Sequence, residues 1–407
     1  MSMKKMTLSQ ELAWRGFVNQ TTFKDIAELD AQKRTFYFGV DPSAPSATIG
    51  NLAAMMMCRV FISHGYTPIL LVGGATGMIG DPKEDKERDE KTLEEIAYNK
   101  GQIKIQYQQV FGKEHLKIVD NYDWFSGIGY LEFLRSVGKR MSMSQLLDRE
   151  FVKNRVGEGG AGLSYAEFSY SLIQGYDFLH LFEAKNATLQ ICGADQWGNS
   201  LTGVELIRKK HAKTAHVWSC PLVINKATGI KFGKSEGGAI WLNAEMTSPY
   251  KFYQFWLNLD DEFVGDYIKI YTLIEKETHE SLMKELAQNP SQRAAQKYLA
   301  YEATKIVHGQ DVADITQRIS EVLFGGREAS ELTKDDFASL AKELPTSKTE
   351  VLLDFLVETE LAKSKTEARR LVEQNAISIN GKKATLETEL AGKSLVKKGK
   401  NAFAVRS

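Results

Sequence analysis

Residues 35–74 read as a buried strand, a small-residue loop, a helix and a second buried strand, and no other feature limits the possible folds so much. "TFYFGVDP" (35–42) and "TPILLVGG" (67–74) are short apolar runs rich in aromatic and β-branched residues. Residues 49–64 between them follow a helical pattern. A strand that feeds a helix and returns as a neighbouring strand makes a parallel pair with a right-handed crossover. "ATLQICG" (187–193) repeats the strand signature, and "ADQWGNS" leads from it into a helix through "LTGVELIRKK". "CPLVINKATGIKFGKS" has the form of a short strand pair around a turn at Thr228-Gly229. Alternation of this kind predicts an α/β domain with a parallel sheet over 1–245. The pattern turns helical over 246–325. A polar, glycine-opened stretch, 326–347, reads as a linker. The remainder, 348–407, reads as two helices and a β-turn unit around Asn380-Gly381, a small α+β domain.

Composition narrows the function. The 52 basic and 52 acidic residues give a formal net charge of zero, so nucleic-acid contact must come from a local basic patch rather than an overall field. The three cysteines, Cys58, Cys192 and Cys220, form no CxxC pair, and the seven histidines form no HExxH. The expectation is a reducing, cytoplasmic setting and no protein-bound structural metal. "MSMKKMTLSQELAWRGFV" lacks the long apolar core and small-residue cleavage site of a targeting segment. Apolar runs such as "PILLVGG" are too short to span a bilayer, so no membrane partner is expected. The charged stretch 83–100 reads equally well as solvated surface or as a functional loop.

Candidate chemistry gathers in the loops after predicted strands, where ligands bind in an open parallel sheet. Gly39 and Gly50 let a sugar or base lie against the backbone. The helix opening near Ile49 turns its free N–H groups and the positive end of its dipole toward the same loop, which suits phosphate. Neither GxGxxG nor GxxxxGK[ST] is present, and tight packing explains the glycines as well. "GGATGMIGDP" (73–82) leads to Asp81, placed either for a ligand ammonium or for a helix N-cap. In "AEFSYSLIQGYDFLHL" (166–181), Tyr170, Gln174 and Asp177 stand at i, i+4 and i+7, on one helical stripe within roughly 60°. Such a stripe usually faces water; on a helix this aromatic it suits a pocket for an ammonium and a hydroxyl. Asp195 and Gln196 follow another strand, where a carboxylate can accept from two ribose hydroxyls. Lys231 and Lys234 in "KFGKS" flank a glycine on a loop and suit a polyphosphate, although two loop lysines are by themselves ordinary surface.

In order, "YFGVDPSAPSATIGN", "LVGGATGMIGDP", "NYDWF", "FSYSLIQGYDF", "LQICGADQWGN" and "KFGKSEGGAIWL" resemble bacterial and organellar tyrosyl-tRNA synthetases over essentially the whole chain. The resemblance implies a class I enzyme with a Rossmann-type nucleotide-binding core and connective insertion. A helical anticodon-side domain and an S4-like RNA-binding domain would follow, in a likeness that also implies a homodimer. The implied reaction joins L-tyrosine to ATP, carried with Mg²⁺, as tyrosyl-adenylate with loss of pyrophosphate. The tyrosyl group then passes to the 3′ end of tRNA(Tyr). Tyr37 and Asp177 would hold the phenol hydroxyl, and Asp81, Tyr170 and Gln174 the ammonium. Gln196 would lie near the carboxylate or α-phosphate. Gly39, Gly50, Asn51, Gly193 and Asp195 would line the adenosine side. Ser43, Thr48, Lys231 and Lys234 would serve the phosphates. A site that pairs a buried hydroxyl rejects the analogue lacking it, because its own polar groups are left stranded; tyrosyl-tRNA synthetases facing phenylalanine are the standing example. The tyrosine carboxylate is already ionised at neutral pH, so no general base is required.

The chain departs from the family pattern where its signatures lie. TIGN (48–51) stands in place of HIGH, and KFGKS (231–235) in place of KMSKS. Thr48 and Asn51 replace the two histidines, and the Thr48 hydroxyl is expected to donate to a phosphate oxygen. Ser43 stands where the family often has threonine. Cys192 replaces a usual glycine and is expected to narrow the ribose pocket. The loop after Asp81 is one residue shorter than the common pattern, so Lys86 and Arg88 receive no role. The intact tyrosine-binding positions and both loop lysines favour a working enzyme. One alternative is a tryptophan-specific relative, against which Tyr37 and Asp177 speak, since indole has no hydroxyl. The other is a non-enzymatic RNA-binding paralogue, motivated by TIGN. For tRNA, the resemblance and charge together nominate Lys365, Arg369 and Arg370 near one helical face, Lys382 and Lys383 at the turn, and Lys397 and Lys398 in a basic terminal segment. Clustered cations in a neutral chain suit phosphate contacts.

Overall fold

Five strands form one parallel sheet: β1 (Thr35–Val40), β2 (Thr67–Val72), β3 (Ile118–Asp120), β4 (Ala187–Gly193) and β5 (His216–Cys220). Their order is β3-β2-β1-β4-β5, and every pairing is parallel. The order reverses direction between β1 and β4, which opens a crevice at the carboxyl ends of those two strands. The register sets Tyr37 of β1 opposite both Ile69 of β2 and Gln190 of β4. The structure is a computed structural model; it describes residues 5–82, 89–112, 116–147, 150–157, 162–224, 229, 232, 234–235, 238–399 and 402–406.

The expected strands and helices form for the expected reason. Phe36, Tyr37, Phe38 and residues 69–72 are all buried, so β1 and β2 read as continuous apolar runs rather than alternating ones. The helix Ile49–Ser63 crosses between them and is apolar nearly all round. It buries Leu52, Met55, Met56, Met57, Val60 and Phe61, each such burial contributing about 1.5–3 kcal/mol. The helix Tyr165–Lys185 carries the polar stripe. Ser164 and Glu167 fix its start as a reciprocal capping box, and Asn186 in left-handed conformation ends it. Glu167 also pairs with Arg155 at 2.9 Å, both side chains buried. Removing one member of such a pair costs roughly 3–5 kcal/mol, so the orientation of this helix is strongly held.

Beyond residue 220 the structure adds detail to the sequence reading. Thr228 of the anticipated turn lies outside the described residues. Phe232 N donates to Val223 O at 2.9 Å, and the described strand pairing comes later, β6 (Lys234–Ser235) against β7 (Gly238–Ala239). The helical stretch after residue 245 does not behave as one body. One compact unit comprises Met1–Thr247 with Leu259–Leu299, and the other Ser248–Asn258 with Ala300–Ser407. The reason is visible at Arg15, which is buried and donates to the carbonyls of Lys269, Thr272 and Ile274 at 2.8–2.9 Å. A guanidinium there satisfies the last carbonyls of the helix Asp261–Tyr271 and opposes its dipole. Phe232 stacks on Tyr267 of the same helix, ring centroids 4.2 Å apart.

The second unit carries a mixed sheet in the order β10-β9-β11-β12-β8. Its strands are β8 (Thr346–Ser347), β9 (Ile377–Ile379), β10 (Lys382–Lys383), β11 (Ser394–Lys398) and β12 (Ala402–Arg406). The polar stretch 326–347 is not a bare linker. It contains the helix Lys334–Leu340, and fully buried Asp336 pairs with Arg318 at 2.7 Å. Its polar residues serve caps and one ion pair, which hydropathy alone reads as loop.

Candidate active site

A cavity of about 350 Å³ lies at the carboxyl ends of β1 and β4. Tyr37, Gly39, Ser43, Thr48, Gly50, Asn51, Asp81, Tyr170, Gln174, Asp177, Gly193, Asp195 and Gln196 all line it. The sequence candidates of the first domain therefore converge, apart from the lysines. Lys231, like Lys86 and Arg88, lies outside the described residues, and Lys234 is placed only through its backbone on β6.

Two of the tyrosine-reading candidates, Asp177 and Tyr170, belong to one hydrogen-bonded network. Asp177 accepts from Trp124 Nε1 at 3.0 Å and from Asn121 Nδ2 at 3.1 Å. Asn121, fully buried, also donates to Thr76 Oγ1 at 3.1 Å, and Thr76 donates to Asp41 Oδ1 at 2.6 Å. Asp41 Oδ2 accepts from the Tyr170 hydroxyl at 2.7 Å. Two glycines leave room for the carboxylates of Asp41 and the nearby Asp120. A Cβ at Gly73 would stand 2.2 Å from Asp41 Oδ1, and one at Gly74 would stand 2.2 Å from Asp120 Oδ1. A second group surrounds Asp81, which accepts from Gln196 Nε2 at 2.8 Å and from Asn199 Nδ2 at 3.4 Å. Asp81 is a cavity carboxylate.

Sequence reading passed over Asp41, Thr76, Asn121, Trp124, Gln190 and Asn199. Asn121 and Trp124 lie within "NYDWF", and Asp41 in "GVDP", so the stretches were visible. What hid their roles is that each acts on a residue distant in sequence, Asn121 on Asp177 and Asp41 on Tyr170.

Three buried polar atoms in the lining have no hydrogen-bond partner among the described residues: Tyr37 Oη, Gln174 Oε1 and Gln190 Oε1. An orphaned buried polar group costs about 1–3 kcal/mol, so three in one cavity mark a place built for a polar guest. The lining holds four carboxylates, Asp41, Asp81, Asp177 and Asp195, and no lysine, arginine or histidine among its described residues. Burial pushes the Asp177 carboxyl well above its usual range, against the lowering effect of Asn121 and Trp124. Burial, and then the charge of Asp177, push the Tyr37 phenol well up. Burial, then the neighbouring Asp41 and Asp81, do the same to Tyr170. Both phenols stay neutral at physiological pH and keep their donor hydrogens. The cavity sets its carboxylates beside these neutral phenols.

Comparison with known proteins assigns the lineage. The family model for tRNA synthetases class I (W and Y) matches residues 30–325. The chain belongs to that family. A second model, the tyrosine–tRNA ligase SYY-like C-terminal domain, matches residues 336–405. This class I synthetase is 43% identical to the tyrosine–tRNA ligase of Bacillus caldotenax, over 98% of this chain and 99% of that protein. It is 39% identical to that of Limosilactobacillus reuteri, with 98% and 99% covered. Among solved structures, a C-terminally truncated mitochondrial tyrosyl-tRNA synthetase from Aspergillus nidulans matches with a TM-score of 0.70 at 28% identity, covering 79% of this chain and 95% of that one.

The departures from the family signatures take definite places in this synthetase. Thr48 caps the helix Ile49–Ser63, and its hydroxyl donates to Asn51 Oδ1 at 3.1 Å. Cys192 lines the cavity beside Gly193 and Asp195. It shares a strand face with Gln190, accepts from the Ser200 hydroxyl at 3.5 Å, and packs in the apolar cluster that holds Tyr37 and Phe178. Burial pushes its thiol up to about 12, so it is inert. In the C-terminal unit, Arg369, Arg370, Lys382 and Lys383 are exposed, and Lys365 pairs with Asp354. Lys397 and Lys398 are turned inward: their Nζ atoms donate to Leu323 O at 3.4 Å and Leu361 O at 2.6 Å. Lys397 also lies over the Phe403 ring. Among the described residues no helix is long and apolar enough to cross a membrane.

Proposed function

We propose that this synthetase activates L-tyrosine with ATP and transfers the tyrosyl group to the 3′ end of tRNA(Tyr). The observation that carries this reading is the buried pair of Tyr37, with its orphaned hydroxyl, and Asp177, held by two donors, in one cavity with the other carboxylates. The phenol hydroxyl of tyrosine donates to Asp177 and accepts from Tyr37. Its ammonium meets Asp81, Tyr170 and Gln174, with Asp41 holding the Tyr170 hydroxyl. Ribose hydroxyls donate to Asp195, and Gly39, Gly50 and Gly193 leave room for the nucleoside. Gln196, tied to Asp81, borders the carboxylate.

The described lining brings no cation to a polyphosphate. That charge is met by Mg²⁺ arriving with ATP and by Lys231 and Lys234, beside Ser43. The tyrosine carboxylate oxygen attacks the α-phosphorus in line, the bond to the bridging oxygen breaks, and pyrophosphate leaves with its Mg²⁺. The terminal ribose hydroxyl of tRNA then attacks the tyrosyl carbonyl and AMP departs. Positioning and charge stabilisation do the catalysis. The tRNA is held in part by the exposed cations Arg369, Arg370, Lys382 and Lys383.

The working form we infer is a cytoplasmic homodimer. The cysteines Cys58, Cys192 and Cys220 are all free, as in a reducing compartment. Tyr130, Leu131 and Tyr165 are 61–78% exposed, and the two tyrosine hydroxyls lie 3.2 Å apart. Apolar surface of this kind marks an interaction site; sedimentation at the mass of a single copy overturns the dimer. The activity is tested by ATP–pyrophosphate exchange with tyrosine, tryptophan or phenylalanine. Exchange with tyrosine alone is expected. Exchange with tryptophan instead, or with none of the three, rejects the assignment.

A further inference from the structure

The two residues that replace the signature histidines are bonded to each other. The backbone N–H of Thr48 lies 3.0 Å from Asn51 Oδ1, and the Thr48 hydroxyl lies 3.1 Å from the same atom. A backbone N–H can only donate, so the amide atom it faces is the oxygen, and a hydroxyl facing that oxygen donates as well. The Thr48 proton is therefore committed inside the protein. Asn51 Oδ1 takes both bonds, which leaves the two Nδ2 hydrogens for the cavity that Thr48 and Asn51 both line.

The backbone beneath this pair is fixed from a second side. Ile49 N donates to Ile240 O at 3.1 Å and Leu242 N to Ala47 O at 2.9 Å, an isolated antiparallel bridge centred on Thr48 and Trp241. Ala47 N is held in turn by Gln106 Oε1 at 2.8 Å. Thr48 cannot swing its hydroxyl toward a ligand without giving up a bond to Asn51. The bridging segment follows β7 directly, so the same ties connect this corner to the hairpin that carries Lys234.

We propose that Thr48 is a positioning residue: it aims Asn51, and the asparagine amide rather than the threonine hydroxyl is the donor offered to ATP. The proposal rests on the tyrosine-activating reading above, and it replaces the expectation that Thr48 meets phosphate directly. An amide gripped twice at its oxygen presents its nitrogen in one direction, so no reorganisation is needed when charge develops on the phosphate.

A double-mutant cycle on the full-length chain decides between the two arrangements. Thr48→Val, Asn51→Ala and the double variant are compared by tyrosine-dependent ATP–pyrophosphate exchange, with kcat and KM for ATP resolved. Valine keeps the shape of threonine and removes only the hydroxyl. Each single variant is expected to lose roughly 10-fold in kcat, and the double variant to be no slower than Asn51→Ala alone. Thr48→Ser is expected to restore most of the rate, which guards against a folding defect. Losses that multiply in the double variant mean independent contacts and overturn the proposal. So does an Asn51→Ala enzyme as fast as the parent, and so does a set of variants that lose only melting temperature, the mark of a helix cap and nothing more. A parent chain without tyrosine-dependent exchange overturns the activity reading itself, a result distinct from all of these.

Discussion

The two ends of the cavity are built in opposite ways. At the end that reads the phenol and ammonium, Tyr37, Asp177 and Tyr170 are only 2–4% exposed. Asp177, Asn121, Thr76, Asp41 and Tyr170 form one continuous chain of hydrogen bonds there. At the end assigned to ATP, Ser43, Gly50 and Asn51 are exposed, and the neighbouring hairpin has strands of two residues each. A small rigid substrate with one hydroxyl and one ammonium can be distinguished only by groups that are already in place and dry. A triphosphate brings its own charge and metal, so its end of the site can remain open and be completed by the ligand. Changes at the first end should therefore alter affinity for tyrosine, and changes at the second should alter turnover.

The largest test is Lys234→Ala. Removing one charge-stabilising group from a transition state costs on the order of 100-fold in kcat, and KM for tyrosine should hardly move in pyrophosphate exchange. A rise in KM for tyrosine with kcat intact would break the division between the ends. Asp177→Asn probes the other end through pH. The carboxyl ionises near 3.8 in the unfolded chain and higher in the folded one. The native state thus keeps its proton over the interval between those values. Its contribution to stability is complete below 3.8 and is lost as pH rises through the folded value. One proton limits the slope to about 1.4 kcal/mol per pH unit. Asparagine strands one of the donors Asn121 and Trp124, a cost paid at every pH, but it removes the contribution of Asp177 to the slope. In denaturant titrations over that interval the variant should lose this one-proton component of the slope relative to the parent, and an unchanged slope refutes the assignment. Smaller still is Tyr37→Phe. It deletes an orphaned hydroxyl, so the free protein should gain up to about 1 kcal/mol while KM for tyrosine rises roughly 10-fold. Loss of both stability and affinity would mean that Tyr37 is a structural residue.

The same contrast governs what could be read in the sequence. The sheet was legible because β1, β2 and β4 are apolar runs with punctuating glycines, and the stripe Tyr170, Gln174 and Asp177 followed from helical spacing alone. Asp81, Asp195 and Gln196 were legible as residues at strand ends. The network behind them was not, because it depends on contacts such as Tyr170 to Asp41, 129 residues apart, and no local period reports those. Likewise 326–347 looks like linker by polarity, yet Asp336 is fully buried against Arg318.

A perturbation outside the cavity should leave both ends untouched, and the smallest predicted effect supplies that control. Lys397 and Lys398 are poor choices, because their ammonium groups satisfy the carbonyls of Leu323 and Leu361. Replacing them by glutamate would put a carboxylate against a carbonyl oxygen and disturb the C-terminal unit itself. Arg369 and Arg370 are exposed on the helix Lys365–Glu373, whose buried residues are Ala368 and Val372. The double change Arg369→Glu, Arg370→Glu should therefore fold normally. Charging of tRNA should fall several-fold, with a shallower dependence on salt because fewer counterions are released on binding. Tyrosine-dependent pyrophosphate exchange should be unchanged in both kcat and KM. Equal loss of charging and exchange would mean that the basic face reaches the cavity through the fold. The two ends could then no longer be treated as acting independently of the C-terminal unit.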